Sequence, residues 1–309
     1  MVEPAPLWSV LLLPVMLGSL ALAAASLDAM LDARAAGRPV TLEEAAAPLR
    51  EAARLLIQQR RTTVAADAVL WRLGGAAVPA AALLASLVIP LGRYAVSDLS
   101  VGVVWFNAIT AVVWGAMWLA GWGPNSVFGL VGGYRFVAQA LAYELPYMLT
   151  LIAAALGAGS LRVGDIAAAQ GGLWFAVWMP AALAIYLLSA LAMSFWGPFD
   201  QPVLRDIAGG VLAELAGVDR LVFLAGRWLL LTATAGLAVS LFLGGGQGPL
   251  LPAWLWSLLK TAAVLALLVG WRRRLPTLRM DRFEEVGWMV LVPLALVQLL
   301  VVGVVVLVR

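Results

Sequence analysis

The segment from 121 to 156, GWGPNSVFGLVGGYRFVAQALAYELPYMLTLIAAAL, decides the fold of this chain. It opens as a turn rich in Gly, Pro and Asn and continues as an apolar run long enough to cross a bilayer. Ionisable side chains at membrane depth are costly, so they usually face a polar cavity or a partner. Arg135, Gln139 and Tyr143 recur every four residues on one helical face, with Glu144 beside it. This face is a candidate pathway for charge, or else a set of buried polar residues that hold helices together.

The composition is typical of a membrane protein. Hydrophobic residues make up 63% of the chain, charged residues make up 12%, and the mean hydropathy is +0.97. The chain contains no Cys and no His, so by itself it supplies no thiolate-held iron–sulfur cluster, Cys/His zinc site or His-ligated haem. We therefore expect no cofactor or metal bound by this chain alone. A net charge of +3, with the basic residues clustered in particular loops, does not indicate nucleic acid.

Apolar runs predict an all-α polytopic membrane protein with about eight transmembrane helices, plus a cytoplasmic amphipathic helix after the first. We expect one integral membrane domain over residues 1–309. The predicted spans are 7–27, 73–91, 99–120, 130–156, 173–195, 221–243, 252–271 and 286–308.

Arginine placement predicts the orientation of these spans. Most arginines fall in the loops after spans one, five and seven, whereas the loops after spans two and four hold only Arg93 and Arg162. Positive residues favour the cytoplasmic side, so the odd-numbered loops are expected in the cytoplasm and the N-terminus outside. Arg309, at the other end of the last span, is a minor exception.

Two polar segments interrupt the apolar pattern. In segment 28–72, Thr41 and Glu44 form a capping box that begins a helical stretch over 41–59. Its apolar stripe, which includes Leu42 and Leu49, favours an interfacial helix that docks a peripheral partner or lines an entrance at headgroup level. An ordinary amphipathic surface helix accounts for the pattern equally well.

The second polar segment, 197–220, is long for a membrane connection and carries three acidic candidates, Asp200, Asp206 and Glu214. It is interpreted as a coupling loop under a soluble partner, or as a solvated loop. Two cations lie at membrane depth outside this loop. Lys260 falls near the middle of its span and is expected to pair or to face water, whereas Arg227 lies near enough to an end to reach the interface.

Segment 121–144 also resembles the pattern G-W-x-x-N-(S/N)-x-(Y/F)-x-L-x-G-x-x-R-x-x-A-Q-x-x-S-Y-E of the membrane subunit of bacterial respiratory complex I known as subunit 1. Ala142 replaces the family's serine. Pro198, Phe199, Asp200 and Pro202 are similar to its P-F-D-x-P, and segment 248–261 to its G-P-x-L-P-x-x-x-W-x-x-x-K-T. Segment 275–293 also resembles the family, and the similarity runs from about Ser97 to the C-terminus.

The resemblance implies a membrane subunit that anchors a peripheral redox arm, forms the chamber for a quinone substrate and begins a proton relay. It implies antiporter-like membrane subunits and peripheral iron–sulfur subunits as partners, in a bacterial cytoplasmic (inner) membrane, with the iron–sulfur clusters and flavin held by those partners. The implied roles are proton relay for Glu144, Arg135, Tyr143 and Lys260, coupling for Asp200, Asp206 and Glu214, and quinone chamber for Arg227 and Gln139.

The chain departs from the family pattern on the chamber side. After P-F-D-x-P the family continues E-A-E-x-E, but this chain has Val203, Leu204, Arg205 and Asp206. Arg227 stands at a family glutamate. These differences keep two alternatives open: a membrane anchor of an energy-converting nickel–iron hydrogenase-type complex that uses no quinone, and a purely structural anchor that transports nothing.

Overall fold

The chain folds into a helical bundle. The structure, a computed structural model, describes residues 3–6 and 8–308, so the first predicted span begins at Leu7, outside the described residues. Its α-helices are α1 (Ser9–Ala35), α2 (Leu42–Ala45), α3 (Ala47–Ile57), α4 (Ala68–Ser86), α5 (Gly102–Trp122), α6 (Val127–Ala158), α7 (Val163–Ala168), α8 (Phe175–Trp178), α9 (Pro180–Met193), α10 (Gly217–Phe242), α11 (Ala253–Arg274), α12 (Met280–Val286) and α13 (Val292–Val308). A π-helical turn, Gly287–Leu291, joins α12 to α13.

Within the described part of the chain, seven helices are long and apolar enough to cross a membrane, counting Met280–Val308 as one. Extended structure there is limited to β1 (Glu3–Pro4), which pairs in parallel with β2 (Tyr94–Ala95). The predicted class, an all-α polytopic membrane protein, is confirmed.

The fifth predicted span, 173–195, differs from the others because it is interrupted. Pro180 has no backbone N–H, so it begins a new helix after the short α8. The 14 residues of α9 extend about 21 Å, less than the ~30 Å of a hydrocarbon core. Since α9 packs against α6, α10 and α13 and Tyr186 is fully buried, neighbouring helices surround it instead of lipid.

Two helices organise the bundle. Helix α10 packs against α1, α4, α9 and α11, and α6 packs against α5, α9 and α13. The bundle has two ends, which we call the loop end, containing 194–216, and the far end, containing 87–101 and 243–252. Helix α6 runs from the loop end to the far end, so it places its polar side chains at successive depths.

Segment 28–72 differs from the prediction at two places. Helix α1 continues to Ala35, which places Asp28 on a helix and 8% exposed. The predicted helix over 41–59 is divided into α2 and α3 at Ala46, because Pro48 opens the first turn of α3. Thr41 caps α2 as predicted, with its hydroxyl accepting a hydrogen bond from the Glu44 N–H at 3.3 Å.

Helix α3 lies against α1 and α10 at the loop end. Leu55 is its buried side chain, with 0% exposure, whereas Leu42 of the predicted stripe is 90% exposed. The segment after α3 also approaches α10 closely: a Cβ at Gly217 would lie 2.5 Å from the Gln58 carbonyl oxygen. These contacts turn the predicted apolar stripe away from the bundle.

Candidate functional site

The loop at 197–220 folds against α6 through an ion pair. One Arg135 guanidinium nitrogen lies 3.1 and 2.9 Å from the two Asp206 carboxylate oxygens and also donates to the Gln201 carbonyl oxygen at 3.3 Å. Asp206 is held in a series of single 3₁₀ turns, Gln201–Val203, Arg205–Ile207 and Gly210–Leu212. Two residues that the sequence placed in separate groups are therefore joined.

Glu214 connects three parts of the loop end. One carboxylate oxygen accepts a hydrogen bond from the Ser126 hydroxyl, just before α6, at 3.1 Å. The other oxygen lies 3.6 Å from the Arg61 guanidinium, and Asp219 lies 3.7 Å from Arg60. Partly exposed pairs of this kind contribute little stability, so their main effect is to set the position of the loop relative to the polar segment after α3.

The loop also contacts α6 directly at Gly132. A Cβ at this position would lie 2.5 Å from the Val211 backbone nitrogen and 2.6 Å from the Pro202 carbonyl oxygen. Because both atoms belong to the backbone, no side-chain rotation relieves the clash. A glycine here lets the loop approach α6 closely enough for the Arg135–Asp206 pair to form.

We expect Gly132→Ala to displace the loop from α6, because the added methyl group overlaps two backbone groups. Such overpacking costs about 1–3 kcal/mol. Amide hydrogen exchange should accelerate across 201–212, measured by mass spectrometry of the purified chain in detergent. The matched control is Gly115→Ala, since a Cβ there meets nothing within 4 Å. Unchanged exchange in the Gly132 variant would contradict the close-contact role.

Glu144 lies half-buried at the boundary between α5 and α6. Its Oε2 is buried and has no hydrogen-bond partner among the described residues, while Asn107 of α5 interacts with the carboxyl group. Tyr143 is fully buried beside the Trp114 indole. Glu144 thus combines a polar neighbour with an oxygen that the described part of the chain leaves unpaired.

Further polar groups follow Tyr143 along α6. Tyr147 is fully buried, with its ring centroid 5.3 Å from that of Tyr186 on α9. The Tyr186 hydroxyl donates to the Thr234 carbonyl oxygen of α10 at 2.8 Å. Aromatic hydroxyls therefore extend from the neighbourhood of Glu144 toward the centre of the bundle. Sequence analysis missed Asn107, Tyr147 and Tyr186, although their type and depth in apolar spans were available signals.

The predicted polar face of α6 does not act as one surface. Gln139 is 1% exposed, and its amide donates to the Ala192 carbonyl oxygen near the end of α9 at 2.7 Å. A helix leaves its last carbonyl groups without intrahelical partners, and Gln139 satisfies one of them. Arg135 reaches the loop, Gln139 caps α9, and Tyr143 faces α5.

Arg227 is buried, at 8% exposure, instead of reaching the interface. Its guanidinium donates to the Ser194 carbonyl oxygen at 3.4 Å and to the Phe195 carbonyl oxygen, just after α9. It also lies 3.6 Å from the Trp196 ring centroid. The negative end of the α9 dipole and the aromatic face account for a cation held inside the bundle. Asp200 lies near enough to interact electrostatically with it.

Lys260 is held at the far end of the bundle. Its ammonium group donates to the carbonyl oxygens of Leu243, Gly245 and Gln247 at 2.6, 3.1 and 2.7 Å. It lies 4.3 Å from the Trp174 ring centroid. All three donors of the ammonium are used, and the partners are backbone carbonyls at the end of α10. The expected pairing is therefore with backbone rather than with a carboxylate.

A buried ionic cluster at the loop end was not predicted. Asp28 of α1 lies 2.8 Å from Arg272 and 2.6 Å from Arg273 of α11, and Arg273 lies 2.6 Å from Asp32. The sequence assigned Asp28 to a polar loop and the arginines to topology alone. The available signal was the i,i+4 spacing of the two aspartates after an unbroken apolar run.

The described residues contain no group of three or more His, Cys, Asp or Glu side chains able to hold a metal ion. Fold and site together define a class of protein: a polytopic helical membrane protein whose loop-end ionic layer connects to polar groups inside its helices. A family model described as NADH dehydrogenase matches residues 6–303. The chain belongs to this family, as the sequence motifs predicted.

Named relatives agree with this assignment, and all three are second copies of the H-type membrane subunit of NADH-quinone oxidoreductase. The relative from Geobacter sulfurreducens is 37% identical over 267 residues, covering 83% of this chain and 81% of the relative. The one from Cereibacter sphaeroides is 38% identical over 251 residues, covering 80% of this chain and 79% of the relative. The one from Syntrophobacter fumaroxidans is 34% identical over 267 residues, covering 83% and 81%.

Proposed function

We propose that this chain is a membrane subunit of a proton-translocating NADH:quinone oxidoreductase-type complex. In this complex it anchors the peripheral redox arm, lines the quinone chamber and begins the proton relay. The family match and the names of the relatives support the subunit assignment. Quinone is the substrate of the complex, and flavin and iron–sulfur clusters belong to partner subunits, since this chain has no Cys or His to hold such clusters.

One observation carries the coupling role: a single helix, α6, links the loop to a carboxyl group inside the bundle. Arg135 pairs with Asp206 at the loop end, and Glu144 lies nine residues further along, about 14 Å at 1.5 Å per residue. A displacement of the loop during quinone chemistry changes the charge environment of Arg135. The rigid helix transmits that displacement to Glu144.

The proposed roles follow the contacts. Glu144 exchanges protons, with Tyr143 beside it, and Asp206 and Glu214 position the coupling loop. Asp200 lies on the chamber side, near Arg227. Gln139 shapes the chamber by capping α9, and Lys260 supplies a fixed charge at the far end. These two groups support the path rather than exchange protons, because each is fully engaged with backbone carbonyls.

We place the loop end in the cytoplasm of a bacterial inner membrane, with the N-terminus outside. Arginines are concentrated at this end, in α3 and at the end of α11, whereas Arg93 and Arg162 lie at the far end. The exposed Leu42, Leu49 and Leu56 of the polar segment offer apolar surface for the peripheral iron–sulfur subunits. The single integral domain, 1–309, contacts antiporter-like subunits within the membrane.

A second function is supported by Arg227. Where the family pattern has a glutamate, this chain has a buried cation bound to carbonyl oxygens and to Trp196. A membrane anchor under a nickel–iron module needs no quinone chamber and tolerates this change. A purely structural anchor tolerates it as well.

Purification of the chain in mild detergent, with mass spectrometry of its partners and metal analysis, tests the proposal. We expect iron–sulfur subunits and a flavin-containing NADH-oxidising subunit, without nickel. Nickel in a large soluble partner would instead assign the chain to the hydrogenase-type complex. Recovery of the chain without any redox partner, in several gentle detergents, would contradict both assignments.

A further inference from the structure

A groove at the far end has no role in the proposed redox function. It lies among α1, the segment after α4, α10 and α11, and encloses about 910 Å³ including its open mouth. Its walls include Leu13, Leu17, Ile89, Val239 and Leu258. Because these elements are membrane-spanning helices and their connection, the medium outside the groove is lipid hydrocarbon.

Hydroxyl groups in the walls do not make the groove polar. The hydroxyls of Ser86, Thr232 and Thr261 donate to backbone carbonyl oxygens of their own helices at 2.8, 2.9 and 2.7 Å. Ser257 accepts a hydrogen bond from the Gly92 N–H at 3.0 Å. With these groups engaged by the backbone, the walls present mainly hydrocarbon to an occupant.

A polar pocket adjoins the groove and shares Leu91 and Tyr94 with it. Its lining includes the oppositely charged Glu3 and Arg93, both exposed. These two residues are held together by a backbone hydrogen bond from the Glu3 N–H to the Arg93 carbonyl oxygen at 2.8 Å. The far end therefore offers an apolar groove at membrane depth that continues into a pocket with one cation and one anion.

We infer that this composite site binds a zwitterionic phospholipid, phosphatidylethanolamine, from the leaflet at the far end. One acyl chain occupies the groove. The phosphodiester binds the Arg93 guanidinium, which suits phosphate geometry, and the ammonium binds the Glu3 carboxylate. The site does not depend on the redox chemistry of the complex.

Phosphatidylethanolamine with a diazirine on its acyl chain tests the site, using the full chain in its purified complex in lipid nanodiscs. After irradiation, we expect peptides covering 9–20 and 86–96 to be labelled about tenfold more than the lipid-facing α13, the ratio that 1.4 kcal/mol of preference produces. Equal labelling of the groove and α13 would overturn the proposal.

Two variants fill the groove from opposite walls, Gly236→Phe on α10 and Leu13→Trp on α1. A Cβ at Gly236 meets only Ile89, at 3.5 and 3.6 Å, which is ordinary contact, so the new ring projects into the groove. Labelling of the groove should fall to the level of α13 in both variants. It should persist in Gly115→Phe, where a Cβ meets nothing within 4 Å. Persistence of the label in both filled variants would refute the site.

Two further arms test the choice of ligand. Arg93→Gln should remove most of the enrichment, and an unchanged ratio would contradict the headgroup assignment. Competition separates lipid from other long-chain amphiphiles. Unlabelled phosphatidylethanolamine should suppress the groove label, whereas suppression by an isoprenoid quinone at equal concentration, and not by the lipid, would reassign the groove.

Discussion

Glu144→Gln should abolish proton translocation and leave the chain assembled with its partners. Glutamine preserves the size of the side chain and its contact with Asn107, but it has no proton to release or accept. Membrane vesicles should therefore retain electron transfer, at a reduced or uncoupled rate, and lose the acidification that accompanies it. Fluorescence quenching by a ΔpH-sensitive dye, measured beside NADH oxidation, gives both quantities from one preparation.

The matched control for this experiment is Glu43→Gln at the loop end. Its carboxylate is exposed and lies 3.7 Å from Arg50, so its loss should change neither translocation nor assembly. Full translocation in the Glu144 variant would remove this residue from the relay. Loss of assembled complex in that variant, with the control intact, would support the structural-anchor alternative instead.

Asp28→Asn should destabilise the bundle strongly. Asp28 is 8% exposed and lies within 2.8 Å of both Arg272 and Arg273, so the amide leaves two partly buried guanidinium groups without their shared carboxylate. Removing one partner of a buried ion pair costs on the order of 3–5 kcal/mol. The expected result is a marked fall in the denaturant midpoint, measured by titration with sodium dodecyl sulfate in mixed micelles.

Asp281→Asn is the control for this loss of charge. Asp281 lies 3.2 Å from Arg279 with both side chains exposed, so its loss should cost about 0–1 kcal/mol. A further variant combines Asp28→Leu with Arg272→Met and Arg273→Met. It should recover much of the stability, because removing a whole buried cluster avoids the uncompensated charge. An unchanged midpoint in Asp28→Asn would show that the cluster is solvated enough to dispense with this carboxylate.

Local patterns in the chain were sufficient to predict the fold class and the family. A run of apolar residues must satisfy its own backbone hydrogen bonds inside a membrane, so each long run predicts a helix without knowledge of its neighbours. The Thr41 cap is equally local, since its hydroxyl and the Glu44 N–H belong to one turn. Motifs around Arg135 and Glu144 carried the family resemblance for the same reason: their spacing is contained within one helix.

Tertiary structure decided which charged groups meet. Arg135 and Asp206 are 71 residues apart, and Asp28 and Arg272 are 244 apart, so no local period relates them. Arg227 and Lys260 are held by carbonyl oxygens of other segments, partners whose side-chain identity leaves no signal. The interruption of the fifth span at Pro180 is tolerated only because α6, α10 and α13 surround α9. Helix formation is local in energy, whereas pairing of buried charges depends on how the helices pack.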